Sequence, residues 1–229
     1  MPRYRYVLLD ADETLFDFEK SEQEALKKVL TDRGYPTDEE TISLYLRINK
    51  ALWDANARGE VDQDFLVVER FAALARVYNI NWDAAKVNRD YLNGLGEEAH
   101  LLPGAMEFCQ TLRDMGLTLA IATNGMPVAQ RGRYTRTGMD KVIPYIFISM
   151  ELGVQKPMSA YFDKVCEALQ ITDRSRVVMI GDSLSSDIMG GNNAGIDTIW
   201  YNPKGTPLTG AANPTYTVAN YDEIVTILT

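Results

Sequence analysis

The sequence has few cysteines and almost no histidine, and these shortages exclude several kinds of site. Only two of its 229 residues are cysteine, Cys109 and Cys166, and neither belongs to a Cys-x-x-Cys or Cys/His pattern. A disulfide framework or a structural zinc site is therefore not expected. His100 is the single histidine, which argues against a histidine-centred catalytic triad and against a multi-histidine metal site.

Long apolar runs and an excess of basic residues are also missing. No run approaches the roughly 18 residues that cross a bilayer, and the opening MPRYRYVLLD has no signal-peptide pattern. We therefore expect a cytoplasmic protein without a membrane partner. The net charge of −9 makes a broad binding face for a nucleic acid polymer improbable on electrostatic grounds. The sequence leaves the oligomeric state open.

The sequence does contain short apolar runs separated by segments with helical periodicity. This alternation is typical of βαβ units that build a parallel sheet covered on both faces. Helical periodicity is visible, for example, over residues 105–115 and 160–169. The predicted fold class is α/β, a doubly wound parallel sheet, with strands over residues 6–9, 117–123, 143–149, 176–181 and 197–201.

Residues 18–98 differ from the rest because they show helical periodicity and no convincing strand. We interpret this stretch as a helical insertion that follows the first strand. The predicted domains are a core made of residues 1–17 and 99–229, and a helical domain made of residues 18–98.

Polar side chains stand where several predicted strands end. In an open parallel sheet, ligands bind outside these carboxyl ends. Clustered carboxylates repel one another, so a hard cation such as Mg²⁺ is their natural complement, and a nearby ammonium and hydroxyl suit a phosphoryl group. The candidates are Asp10, Asp12 and Thr14 after the first strand, Thr123 and Asn124 after the second, Asp182 and Asp187 after the fourth, and Lys156 in the segment between.

Each of these residues also has a simpler structural interpretation. Asp10 or Asp12 taken alone would fit a turn or a helix N-cap. Asp187 would favour the start of a helix through the helix dipole, and Thr14 could be a cap or lie near a metal. The combination of the motifs favours the functional interpretation.

The ordered motifs resemble the haloacid dehalogenase (HAD) superfamily of phosphohydrolases. They are an apolar strand followed by DADETL, a strand-ending Thr123, Lys156-Pro157, and GDSLSSD over residues 181–187. The resemblance covers essentially the whole chain. The details DADETLF, INKALW and GNNAG indicate the YjjG/YfnB-like branch of pyrimidine-type nucleotide 5'-phosphatases.

This resemblance implies a Rossmann-like core, an inserted C1-type cap and an aspartyl-phosphate mechanism. Asp10 would be the nucleophile, and Asp12 would protonate the leaving oxygen and later activate water. Mg²⁺ would be held by Asp10, Asp182 and the backbone carbonyl of Asp12. Lys156 would neutralise charge, with Thr123 and Asn124 on the phosphate oxygens and Asp187 orienting Lys156 or a metal-bound water.

The expected substrate is a small-molecule phosphate ester, in the first place a pyrimidine nucleoside 5'-monophosphate. Sugar phosphates, a phosphoglucomutase-like reaction and a non-catalytic phosphate-binding module are the alternatives, and a dehalogenase is disfavoured because it needs neither Mg²⁺ nor an acid at position 12. Asn49, Lys50 and Trp53 in the cap are candidates for contacts with the substrate, although Trp53 fits the core of an amphipathic helix better.

One residue departs from the family pattern. Many members have glycine where this chain has Glu13. The glutamate is either tolerated in this branch or reaches toward the cap, and the sequence does not decide between these possibilities.

Overall fold

The computed structural model describes residues 3–229 and divides the chain into two compact units. One unit holds the residues up to Phe18 together with Ala99–Thr229, and the other is Glu19–Glu98. All strands found in residues 3–229 lie in the first unit, and the second unit is helical. No helix within this described range is long and apolar enough to cross a membrane.

The first unit is built on a parallel sheet of six strands, which confirms the predicted α/β class. The strands are β1 (Tyr6–Leu9), β2 (Thr118–Thr123), β3 (Tyr145–Ile148), β4 (Val177–Gly181), β5 (Asp197–Tyr201) and β6 (Tyr216–Val218). Their order is β3-β2-β1-β4-β5-β6, so the direction of strand addition reverses between β1 and β4. Open α/β sheets bind their ligands at such a reversal.

The helices of the first unit cover both faces of this sheet. The helices along the whole chain are α1 (Phe18–Thr31), α2 (Glu39–Ala57), α3 (Gln63–Val77), α4 (Ala84–Glu97), α5 (Ala105–Asp114), α6 (Pro127–Arg136), α7 (Ser149–Leu152), α8 (Ser159–Ala168), α9 (Met189–Ala194) and α10 (Tyr221–Leu228). Short 3-10 turns occupy Met139–Lys141 and Arg174–Arg176, and a π-helical turn occupies Leu184–Ile188.

The alternation of side chains along β1 explains why this strand is apolar throughout. Val7 and Leu9 pack into a cluster with residues of α5 and α10, whereas Leu8 packs into a cluster with residues of α8. Successive side chains of a strand point to opposite faces, and both faces are covered here. All five predicted strands are confirmed with end shifts of at most two residues. The prediction missed β6, a strand of three residues at the sheet edge.

The helical unit is stabilised by helix caps and by a buried polar cluster. Asp38, Asp62 and Asp83 each accept a hydrogen bond from the backbone N–H three residues further on, which caps α2, α3 and α4. Arg70, which is 2% exposed, donates to the Asn49 and Asn88 side chains over 3.2 and 2.7 Å. These bonds connect α2, α3 and α4 through polar groups that would be costly if left unpaired.

Candidate active site

Asp10 follows β1 at the reversal of strand order. Its backbone N–H donates to the Ile180 carbonyl over 2.9 Å, which continues the pairing of β1 with β4. Its side chain is mostly buried, since Asp10 is 8% exposed. The strand pairing therefore fixes the backbone position from which this carboxylate extends.

Lys156 connects the end of β1 with the segment after β4. Its ammonium donates to Asp10 Oδ1 over 2.7 Å, to Asp187 Oδ1 over 2.6 Å and to the Ala122 carbonyl over 2.6 Å. These are the three hydrogen bonds that an ammonium can donate. Lys156 is 1% exposed and Asp187 is 0% exposed, so this ion pair is buried, while the orienting role of Asp187 stays a prediction.

The Asn124 side chain holds the backbone of Lys156. Its Nδ2 donates to the Lys156 carbonyl over 2.8 Å, and its Oδ1 accepts from the Lys156 N–H over 3.0 Å. The hydroxyl of Thr123 accepts from the Gly125 N–H over 3.0 Å. The Asn124 amide thus orders the lysine loop, while the phosphate-binding roles of Thr123 and Asn124 stay predictions.

Three carboxylates converge beside Lys156. One oxygen each of Asp10, Asp182 and Asp187 lies within 4.8 Å of the other two. Asp187 Oδ2 also accepts from the Ser183 N–H over 3.1 Å. Gly181 leaves the room for this side chain, because a Cβ at position 181 would lie 2.2 Å from Asp187 Oδ2. The sequence predicted these acids at one sheet edge, and the structure brings them together.

Burial and mutual repulsion change the proton affinity of this cluster. Burial and the charge of Asp187 raise the pKa of Asp10 to about 7, although Lys156 opposes the shift. Burial followed by the charges of Asp10 and Asp187 raises the pKa of Asp182 well above its usual range. Burial would lower the pKa of Lys156, but Asp10 and Asp187 outweigh it and raise the pKa.

The cluster fits a hard divalent cation. The single ammonium of Lys156 bonds to only two of the three carboxylates, Asp10 and Asp187. Burial and, after it, the charges of the neighbouring carboxylates raise the pKa values of Asp10 and Asp182. Carboxylate oxygens are the ligands that Mg²⁺ prefers. Asp10 and Asp182 are the predicted side-chain ligands, and the position of Asp187 makes it a further neighbour of the same site.

Asp12 is held by two side chains that sequence reasoning missed. Arg133 Nη2 donates to Asp12 Oδ1 over 2.6 Å, and Gln130 Nε2 donates to Asp12 Oδ2 over 2.8 Å. Both donors lie on α6, whose sequence PVAQRGRYTR is polar enough to suggest a solvated helix. Only their burial, at 1% and 0% exposure, distinguishes them from the surface Arg131, so the sequence carried no signal for them.

The turn after Asp12 contains the two remaining residues of the first motif. Thr14 is fully buried, and its hydroxyl has no hydrogen-bond partner within the described residues. Glu13 adopts a left-handed backbone conformation with φ of 57°. Its carboxylate lies 3.9 Å from the ammonium of Lys204, a residue of the same unit.

The three predicted cap candidates differ in their surroundings on α2. Asn49 is buried, and its amide donates to Glu22 over 2.7 Å while accepting from Arg70. Lys50 is exposed and pairs with Asp54 over 2.7 Å. Trp53 is half-buried. The Asn49 amide is already used within the helical unit, and contacts of these residues with a substrate stay predictions.

Comparison with known proteins identifies the family. The model of the haloacid dehalogenase-like hydrolases matches residues 4–195, and the chain belongs to this family. Pyrimidine 5'-nucleotidase PynA of Streptococcus pneumoniae is 34% identical over 98% of this chain and 95% of its own length. Pyrimidine 5'-nucleotidase YjjG of Escherichia coli is 33% identical over 99% and 98% of the two chains.

A solved structure is also similar over the full length. The crystal structure of YfnB of Bacillus subtilis, bound to magnesium, is 35% identical and superimposes with a TM-score of 0.93 over 99% of both chains. These matches confirm the resemblance to the YjjG/YfnB-like branch.

Proposed function

We propose that this hydrolase is a Mg²⁺-dependent phosphomonoesterase that acts through an aspartyl-phosphate on Asp10. The observation that carries the proposal is the Lys156 ammonium, which bonds to Asp10 and Asp187 inside a group of three converging carboxylates. A structural ion pair needs one acid for one base. Three acids, two of them buried, beside one base form an anionic site that is suited to a metal and, next to the metal, a phosphoryl group.

The chain's own residues account for each proton and bond in the reaction. A carboxylate oxygen of Asp10 forms a bond to phosphorus, and the bond between phosphorus and the leaving oxygen breaks. Asp12 gives that oxygen its proton. In the second half, Asp12 takes a proton from water and the water oxygen bonds to phosphorus. The bond between phosphorus and the Asp10 oxygen breaks, which frees the Asp10 carboxylate and inorganic phosphate.

The metal would be held by the carboxylates of Asp10 and Asp182 and by the Asp12 carbonyl. When bound, Mg²⁺ would supply charge stabilisation to the phosphoryl oxygens. Lys156 holds Asp10 in place through their hydrogen bond of 2.7 Å and lowers the pKa of its carboxyl, which favours the nucleophilic carboxylate form.

The proposed substrates are pyrimidine nucleoside 5'-monophosphates. Support comes from the names of PynA and YjjG, which match over nearly the full length of this chain. The test is a panel of nucleotides and sugar phosphates assayed at fixed Mg²⁺, with a parallel series in EDTA. A preference for sugar phosphates would refute the substrate but leave the reaction class intact, and activity that survives EDTA would refute the metal requirement.

Replacing the nucleophile tests the reaction class itself. Asp10→Asn should abolish turnover because an amide does not attack phosphorus, while the overall fold is kept. Asp163→Asn is the matched control, since that carboxylate is 55% exposed and pairs with Arg174 away from the site. An Asp10→Asn enzyme that turns over at the normal rate would contradict the assignment of the nucleophile.

A further inference from the structure

Asp12 contacts bulk solvent on one side and buried protein on the other. Its side chain is 27% exposed, whereas the Arg133 side chain that donates to it is 1% exposed. Both carboxylate oxygens accept from α6, one from Arg133 and one from Gln130. A carboxylate has about four acceptor positions, so these two bonds leave others for a substrate oxygen or a water.

We propose that Arg133 and Gln130 are positioning residues that fix the orientation of the Asp12 carboxylate for proton transfer. The two residues are three positions apart in α6 and therefore lie on one face of the helix. Donors on both oxygens fix the plane of the carboxylate as well as its position. The inference rests on the proposed function, in which Asp12 moves the protons.

Packing alone does not explain why this arginine is buried. Nε and Nη1 of Arg133 and Oε1 of Gln130 are buried without a hydrogen-bond partner in the described residues. Unpaired buried polar groups cost free energy, and the guanidinium is only partly compensated by the Phe16 and Phe18 rings, whose centroids lie 5.2 and 5.4 Å from its carbon. Asp12 is the acid with which this cation pairs.

Gly125 supports the same arrangement from the loop after β2. A Cβ at position 125 would lie 2.0 Å from Gln130 Nε2 and 2.8 Å from its Cδ. Any larger residue at position 125 would therefore displace the amide that donates to Asp12. The backbone of Gly125 is not in the left-handed region, so the Gln130 side chain is the reason that glycine is needed here.

Leaving groups of different acidity provide the test. A nucleoside 5'-monophosphate releases an alkoxide that needs a proton, whereas p-nitrophenyl phosphate releases a stable anion that does not. In Gln130→Ala and Arg133→Gln, kcat/KM for the nucleotide should fall about 100-fold, the lower end of what general acid catalysis contributes. Since kcat/KM covers the steps up to loss of the leaving group, its value for p-nitrophenyl phosphate should fall less than about tenfold.

Replacing the buried Arg133 could disturb folding, so variants at other positions also test the inference. Gly125→Ala should reproduce the selective loss, and Gly125→Ala combined with Gln130→Ala should be no worse than Gln130→Ala alone. Arg133→Lys should keep more of the nucleotide activity than Arg133→Gln, because lysine retains the positive charge. Arg131→Gln is the control, because Arg131 is on the same helix, is half-exposed and pairs with Glu151.

Two results would overturn the inference. One is an equal loss of kcat/KM on both substrates in every variant, which would indicate a general structural role. The other is a ratio of kcat/KM for the nucleotide to kcat/KM for p-nitrophenyl phosphate that stays at the wild-type value in Gln130→Ala and Gly125→Ala. A wild-type protein that hydrolyses neither ester would instead refute the proposed function, so the two failures are distinguishable.

Discussion

Replacing Lys156 by methionine should destabilise the protein in a way that depends on pH. The side chain keeps its length but loses the ammonium, so the buried carboxylates of Asp10 and Asp187 lose their cation. Removing one partner of a buried ion pair costs about 3–5 kcal/mol. For a protein of this size, each kcal/mol lowers Tm by ~2–4 °C, so we expect Tm to fall by roughly 10 °C.

The pKa of Asp10 determines how this loss changes with pH. In the folded protein the pKa of Asp10 is raised to about 7, whereas an unfolded chain titrates aspartate near ~4. Between these two pKa values, the Asp10 carboxyl is protonated in the folded protein and ionised in the unfolded chain. The stability of the folded protein therefore falls as the pH rises through that window. Without Lys156, which lowers the pKa of Asp10, the folded pKa moves higher still. The variant should keep losing stability above pH ~7, where the wild type levels off.

Thermal unfolding in EDTA, followed by circular dichroism at pH 5.5 and pH 8, measures both effects. The Tm difference between the wild type and Lys156→Met should be larger at pH 8. Lys164→Met is the matched control, because Lys164 is exposed and donates to the Leu152 carbonyl over 2.6 Å rather than to a carboxylate of the site. The reasoning is wrong if the Tm difference is the same at both pH values, or if the control loses as much stability as Lys156→Met.

Three further results are expected. Mg²⁺ should raise Tm more at pH 8 than at pH 5.5, because Asp10 and Asp182, whose pKa values are raised, must lose protons to bind it; a thermal shift titration measures this. Gly181→Ala should displace Asp187, whose Oδ2 would lie 2.2 Å from the new Cβ, and steady-state assays should show lower kcat. Glu13→Gly should raise the free energy of unfolding in urea by ~1 kcal/mol, because glycine accepts the positive φ of 57° more readily.

The sheet and the acids at its strand ends were predictable from sequence, because each depends on a short run of neighbouring residues. β1 and β4 are continuous apolar runs because both of their faces are buried, and an acid stands directly after each. Once the strands are parallel and adjacent, Asp10 and Asp182 have to lie at the same sheet edge. β6 was missed because a strand of three residues at an edge, with an exposed Thr217 at its centre, has no apolar run.

The side chains that hold the site residues in place were not predictable, because their contacts depend on burial rather than on residue type. Arg131 and Arg133 differ by two positions in one polar helix, yet one pairs with Glu151 at the surface and the other with Asp12 in the interior. In the same way, the sequence carried no signal that the Asn124 side chain bonds to the Lys156 backbone. Which side of a helix or loop is covered depends on tertiary packing, and residue spacing alone does not encode it.

The turn after Asp12 explains why two acids follow a buried strand. The N–H groups of Leu15 and Phe16 both donate to the Ala11 carbonyl over 2.9 Å, so the chain folds back onto the one residue of the DAD triplet that packs in the core. The reversal requires the left-handed conformation at Glu13, which costs a non-glycine residue ~1 kcal/mol or more. The partly exposed pair of Glu13 with Lys204, at 3.9 Å, contributes little to stability. The two bonds to the Ala11 carbonyl hold the turn in this conformation, and Ala11 packs in the core between Asp10 and Asp12, the two carboxylates proposed to carry out the reaction.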